Sequence, residues 1–287
     1  MTPTALSAVN KIYSCSRSCK VKYHPIKHYE FGKFCLLLKS FERQLSEAIK
    51  DDYWKAFLRP LQQYRFKLCA TPLPFNHPTV CEPKAFNFLE NRLAQCESIY
   101  PDFTTTAHTL FNSIVILSHS YENFLLDYIV KIYRIDREKV GLILKESSLI
   151  SVVKKILAAN PRLREIEIVV PSQLRGSTCY KRLIVIGPDR WFPDYVFSAP
   201  RATEINLLHY DWIRNKWQPE PVFLGSNNVQ ALAQKPFQSM IILEKVNSKT
   251  DNSRVGDYLE PEELLPPTID WSQIAKDFAR SSLASLD

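Results

Sequence analysis

Apolar positions recur at helical spacing through most of the first 160 residues. Phe34, Leu37, Leu38, Phe41, Leu45 and Ile49 share one helical face. A second series runs through Trp54, Phe57, Leu58, Leu61, Tyr64 and Phe66, with Pro60 inside it, where a kink or a split is expected. The spacing returns over 84–99 through Phe86, Phe88, Leu89, Leu93 and Cys96. It returns again from 104 to about 133 through Leu110, Ile114, Leu117, Tyr121, Leu125 and Ile129. Asp136 is placed to cap a helix over 137–144, and Ser147 or Ser148 starts another that Asn160-Pro161 stops. Residues 1–30 are polar, basic and aromatic and predict a loosely structured start. The four prolines of 71–83 predict a connector.

The pattern changes between Glu165 and Trp217. Three short apolar runs, 166–170, 183–186 and 205–208, are rich in Ile, Val and Leu and end at turns or polar breaks. Continuous runs of this kind suit strands buried on both faces, as in a parallel sheet covered by helices. They are expected to be neighbouring, mainly parallel strands of one sheet. A further strand is predicted at 239–246, a polar loop at 247–267, and a closing helix at 271–286 with Trp271, Ile274, Phe278 and Leu283 on one side. The expected fold class is α/β: a mostly helical N-terminal part over 1–160, then a parallel-sheet lobe with a C-terminal helix over 161–287. In such sheets ligands sit beyond the carboxyl ends of the strands, which directs attention to the loops 171–181 and 187–200.

Composition narrows the class. With 287 residues and 45% apolar content the chain can bury a sizeable core. Six glycines against 19 prolines argue against a Gly-rich phosphate loop and for stiff connections. A net charge of +7, without a block of six like charges, permits an anionic partner and fits equally a scattered basic surface. Seven cysteines, an odd number spread from Cys15 to Cys179, form no dense disulfide framework, and the N-terminus has no signal-like apolar run. The most apolar long stretch, 111–130, carries His119, Glu122, Asn123 and Asp127 and is too polar to span a bilayer. These features predict a reduced, cytoplasmic protein that does not enter the membrane.

Recognisable catalytic chemistry is sparse. The one Gly-Lys pair, Gly32-Lys33, is followed by Phe34 where a phosphate loop needs a hydroxyl, and Lys27 stands in place of the first glycine. No dinucleotide fingerprint and no nucleophile elbow occur. Cys15, Cys19, His24 and His28 are spaced Cys-x3-Cys-x4-His-x3-His, a zinc-ligand spacing too short for a ββα finger and without the glycine of a tight knuckle. Asp51-Asp52 suits a helix start, Glu262-Glu263 lies in a proline-rich loop, and His209 follows a strand as structural histidines do. Cys179, beside Arg175, Lys181 and Arg182, has no partner base in view.

Two segments carry a family resemblance. Pro171-Ser172-Gln173-Leu174-Arg175-Gly176, followed by the run at 183–186, resembles motif V of superfamily-one helicases. Tyr195-Val196-Phe197-Ser198-Ala199-Pro200-Arg201-Ala202, followed by the run at 205–208, resembles their motif VI. In that family the first loop links nucleotide to single-stranded DNA and the second supplies an arginine to the γ-phosphate from a RecA-like lobe. The resemblance therefore matches Arg175 and Gly176 to the first role and Arg201 to the second. Pro200 replaces the usual Thr, the acidic residue of the first loop is absent, and motifs I and II are missing, so the likeness covers about fifty residues. It is most similar to degenerate helicase-like proteins of bacterial anti-phage defence, of the DrmE type found in DISARM systems. It implies a catalytically inert, cofactor-free accessory module in a larger nucleic-acid-directed complex.

Trp212-Ile213-Arg214-Asn215-Lys216-Trp217 alternates stacking and charged groups as single-strand binders do, although a buried tryptophan would explain it as well. Arg175, Lys181, Arg182, Arg190 and Arg201 are expected to face one surface along the ligand edge of the sheet, with Trp212 and Trp217 beside them. The alternatives from other classes are a nucleic-acid-processing enzyme such as a nuclease, and a zinc-binding regulator built on Cys15, Cys19, His24 and His28. The plainer alternative is an α/β domain whose arginines satisfy loop carbonyls.

Overall fold

Runs of branched apolar residues build five strands: β1 (Lys20–Ile26), β2 (Val140–Ile143), β3 (Glu167–Val169), β4 (Tyr180–Ile186) and β5 (Ala202–Tyr210). The computed structural model describes residues 10, 12, 14, 15, 19–45, 51–133, 139–214 and 258–266. The five strands form one sheet in the order β1-β5-β4-β2-β3, and every pairing is parallel. The protein is therefore of the α/β class. The runs at 166–170, 183–186 and 205–208 supply β3, β4 and β5, and Leu183–Ile186, Ile205, Leu207 and Leu208 are fully buried, as strands covered on both faces require. β3 is not the neighbour of β4, however. β2 lies between them, with Gly141 opposite Glu167 on one side and Leu183 on the other. The predicted strand at 239–246, the helix at 271–286 and Trp217 lie outside the described residues.

Two strands depart from the expected pattern. Val140-Gly141-Leu142-Ile143 was expected at the end of a helix over 137–144 and is instead a strand whose four residues are all buried. So short an apolar run fits either period, and pairing on both sides decides it. A Cβ on Gly141 would lie 2.8 Å from Leu183 Cδ2 and 3.0 Å from Val169 Cγ2, so only glycine lets β3 and β4 close on β2 here. Within the stretch expected to be loose, residues 20–26 form β1, paired along its length with β5 from Lys20–Glu204 to Ile26–Tyr210. Its proline, Pro25, is tolerated because β1 is an edge strand. The sheet thus draws β1 and β2 from residues 1–160 and β3 to β5 from the residues that follow.

Helices occupy the long β1–β2 connection: α1 (Tyr29–Leu45), α2 (Asp52–Ala70), α3 (Pro83–Ile99), α4 (Pro101–Ser118) and α5 (Phe124–Ile132). Asp51 caps α2 by accepting the Tyr53 N–H at 2.8 Å. α2 runs unbroken through Pro60, because burial of Phe57, Leu58, Leu61 and Tyr64 outweighs the roughly 3 kcal/mol that an internal proline costs. The single helical pattern from 104 to 133 divides into α4 and α5. Asn123 caps α5 at Leu126 N, and residues 120 and 122 offer their carbonyls to Asn76 and Phe75. A 3-10 turn (Ser147–Leu149) leads into α6 (Ile150–Ala159), which ends at Asn160 as expected. The one-turn α7 (Tyr195–Ser198) completes the β4–β5 connection. One continuous hydrophobic core joins helices and sheet, and Phe31 is its aromatic hub, with the rings of Phe75, Tyr210 and Trp212 centred 5.0–5.5 Å away.

Gly141→Val tests the close approach at the sheet centre. The branched side chain must displace buried Leu183 or Val169, and a loss of about 1–3 kcal/mol is expected in denaturant unfolding. An unchanged midpoint would contradict the packing of β2 between β3 and β4.

Candidate functional site

The sheet's strand order reverses between β2 and β4: the chain moves outward from β2 to β3, then returns to β4 and continues to β5 and away. In open α/β sheets the crevice at this point, beyond the carboxyl ends, is where ligands bind. Here it is filled from within. Gly187 ends β4 with φ of 111° and turns the chain into the 3-10 turn Asp189–Trp191. A Cβ on Gly187 would lie 2.5 Å from the Trp191 ring. Trp191 is buried, and Lys145, from the loop after β2, donates its Nζ to the Trp191 carbonyl at 2.6 Å. The Trp191 indole N–H donates to the Pro261 carbonyl at 2.7 Å, and Phe66 packs 5.3 Å from the ring. Both loops that would hold a ligand therefore hold a tryptophan.

Beside this crevice Tyr23 and His209 meet edge to face, 6.4 Å apart. Burial pushes His209 down to about 4, and its Nδ1–H donates to the Tyr210 carbonyl at 3.0 Å, so the ring is neutral at physiological pH. The Tyr23 hydroxyl has no partner, and burial, with Asp189 nearby, raises its phenol well above the ordinary range. Neither group is poised to exchange a proton near neutrality.

The opposite edge is basic. In a parallel sheet all amino ends lie together, and Lys20, Lys22, Lys139, Lys181, Arg182 and Arg201 occupy the first three positions of the strands or immediately precede them. Glu167 and Glu204 are the carboxylates at the same positions. Glu204 is bridged by Lys22 at 3.2 Å and Arg182 at 2.9 Å. Burial raises its carboxyl, but the Asn206 amide, Arg182 and Lys22 outweigh this and hold it below the usual range. Asn206 donates to Glu204 at 2.8 Å and accepts from His24 Nε2 at 2.8 Å, which leaves His24 Nδ1 to accept the Tyr128 hydroxyl at 3.0 Å. The Glu204 carboxylate is bridged from β1 and β4, and both His24 nitrogens are engaged, so this cluster staples β1, β5 and β4 together.

The predicted contact residues divide between the two edges. Lys181 and Arg182 lie in the first turn of β4's pleat and Arg201 just ahead of β5. The Pro171–Arg175 turn folds back toward them: Arg201 Nε donates to Gly176 O at 3.2 Å, while its NH1 donates to Ala199 O at 3.0 Å. Arg175 is exposed and lies over the Tyr195 ring, 5.0 Å from its centre. The two helicase-like segments therefore touch, but at the amino edge and not beyond the carboxyl ends, and Arg201 serves loop carbonyls. Arg190 sits at the far edge, where it pairs with Glu262 at 3.3 Å. Trp212, read as a stacking group, is buried against Tyr210 and Phe31 and offers no face to a base.

The zinc-like set does not assemble. Both His24 nitrogens are engaged in the row above, and His28 Nδ1 accepts the Phe31 N–H at 3.1 Å to start α1. His28 Nε2 stands 3.3 Å from Glu122 without hydrogen-bond geometry, and burial lowers the ring's pKa. Burial pushes the Cys19 thiol up to about 12, with Cys15 next in effect. None of the seven cysteines is in a disulfide, and no group of three metal-ligating side chains gathers among the described residues. Within the same residues no helix is long and apolar enough to cross a membrane. Sequence reading took Lys20 and Lys22 only as part of the basic, aromatic stretch 11–29 and missed Glu204; the signal was the alternation Lys-Val-Lys-Tyr-His of β1, which sets both lysines on one face.

His209 gives the structure a defined acid limb. Its folded pKa lies below the ordinary 6.5, so the unfolded chain binds the proton first and stability falls as pH drops from about 6.5 toward 4. Between pH 7 and 5 this residue should account for about 2 kcal/mol of lost stability. Urea midpoints of wild type and His209→Gln at the two pH values measure it: the variant should lose about that much less, and parallel losses would show that the ring is not held neutral.

Comparison with protein-family models, curated proteins and solved structures returns no match.

Proposed function

We propose that this protein is a catalytically inert α/β interaction module that contacts nucleic-acid phosphates through the amino edge of its sheet, within a larger assembly. The observation that carries the reading is the gathering of Lys20, Lys22, Lys181, Arg182 and Arg201 at that edge, with exposed Arg175 alongside. Cations held on rigid strand ends keep their spacing, which favours binding to a regularly charged backbone. Inertness toward nucleotides is supported by the missing phosphate loop and by Trp191 and Lys145 occupying the switch-point crevice. A role in a defence assembly is supported by the resemblance of the 171–176 and 195–202 segments to helicase motifs.

Salt-titrated anisotropy with a labelled single strand tests the contact. Affinity should fall steeply with salt, and Lys20→Ala, Arg175→Ala and Lys181→Ala together should weaken binding and flatten the log–log slope by about 2, at roughly 0.7 per phosphate contact. Arg190→Ala, on the far edge, should change neither. No binding by wild type at low salt, or an equal effect of Arg190→Ala, would remove the amino edge as the site. In parallel, purified protein should turn over no ATP; turnover that survives repurification and vanishes in Arg201→Ala would show the module is an enzyme.

A further inference from the structure

The segment 258–266, Tyr-Leu-Glu-Pro-Glu-Glu-Leu-Leu-Pro, lies across the carboxyl side of the sheet, in the manner of a bound peptide. Its backbone joins Ile213 in an isolated parallel bridge: Leu259 N donates to Trp212 O at 3.0 Å, and Arg214 N donates to Leu259 O at 2.9 Å. Leu259 and Leu264 are fully buried, and Pro261, also buried, receives the Trp191 indole N–H. Between these anchors each carboxylate meets a cation from a different part of the fold. Glu260 pairs with Arg214 at 2.9 Å, Glu262 with Arg190 at 3.3 Å, and Glu263 with Lys39 at 2.8 Å. Lys39 also holds the Tyr258 carbonyl at 2.8 Å.

Beneath the segment lies Arg65, only 1% exposed. Its NH2 donates to the Glu263 carbonyl at 2.6 Å, and Glu42 stands 3.8 Å away. Its Nε and NH1 have no hydrogen-bond partner. A buried guanidinium is costly unless it is paired, and Arg65 is held between the Glu42 carboxylate and the segment's Glu263 carbonyl. Backbone pairing, two leucine anchors and a cationic lining are the elements by which folded domains capture extended peptides.

We propose that this groove is a docking site for acidic, leucine-anchored peptides, filled in cis by residues 258–266, and that a partner segment of the same pattern, Leu-acidic-Pro-acidic-acidic-Leu, competes for it. The apolar floor of Trp191, Trp212 and Ile213 favours a peptide over a nucleic acid, which would use the cations and leave that floor uncovered. The groove lies on the opposite edge from the basic row, so the inference stands apart from the nucleic-acid reading. Covalent attachment presents the resident segment at an effective concentration on the order of millimolar. A free peptide at micromolar concentration therefore meets a closed groove in the wild-type chain.

The test uses the full chain and a fluorescein-labelled synthetic peptide of residues 258–266. Wild type should bind it weakly. Two variants that loosen the resident segment, Glu260→Gln with Glu262→Gln and Glu263→Gln, and separately Leu259→Ala with Leu264→Ala, should each bind it at least tenfold more tightly. Adding Arg190→Ala and Arg214→Ala should abolish the gain, and a scrambled peptide should show none. The proposal is overturned if both loosened variants bind the peptide no better than wild type. It is overturned too if labelled oligothymidine gains in the peptide's place, or if the variants self-associate in sedimentation and exclude the peptide, which would assign the groove to nucleic acid or to a second copy.

Discussion

The parallel pairing of β1 with β5 is the constraint on which the rest of the structure depends. It sets Lys20 beside Glu204 and Ile26 beside Tyr210, and so closes a loop of more than 180 residues. Loop-closure entropy grows only with the logarithm of length, so so long a loop costs little more than one half its size. What it secures is the position of α1, which starts three residues after β1 and carries Phe31 onto Tyr210 and Trp212. The helices between β1 and β2 are then fastened to a sheet whose other strands come mostly from the far side of the chain.

A parallel sheet separates its two edges chemically, and this protein uses them differently. At the amino edge the cations exceed the carboxylates, and the half-buried Glu204 is bridged from both sides, while Lys20 and Arg175 face solvent. At the carboxyl edge Lys39, Arg190 and Arg214 are each answered by a carboxylate of the 258–266 segment. Among the described residues, unanswered positive charge therefore gathers at one edge of the sheet more than at the other, something that no total can reveal.

The core strands were legible because burial on both faces leaves an unbroken apolar run, as at Leu183–Ile186. β1 was hidden because an edge strand keeps one side polar: its lysines and Pro25 looked like a loose arm until paired with β5. β2 was hidden by brevity, since Val140-Gly141-Leu142-Ile143 is too short for its period to show. The site was harder still. The chemistry of Arg175 and Arg201 was visible, but which edge each occupied depends on how the 171–179 connection crosses β2, a matter of topology that no local pattern carries. Trp212 looked like a stacking surface because exposure is a property of the fold and not of the residue.

The place of β1 at one edge also has a consequence in time. During synthesis it emerges some 180 residues ahead of β5, and at about 5–20 residues per second it waits roughly 10–40 s for the strand it pairs with. Throughout that interval Val21 and Ile26 have no sheet to join. Lys20, Lys22 and Pro25, which left the strand unrecognised in the sequence, are the residues that make it a poor template for any other chain while it waits.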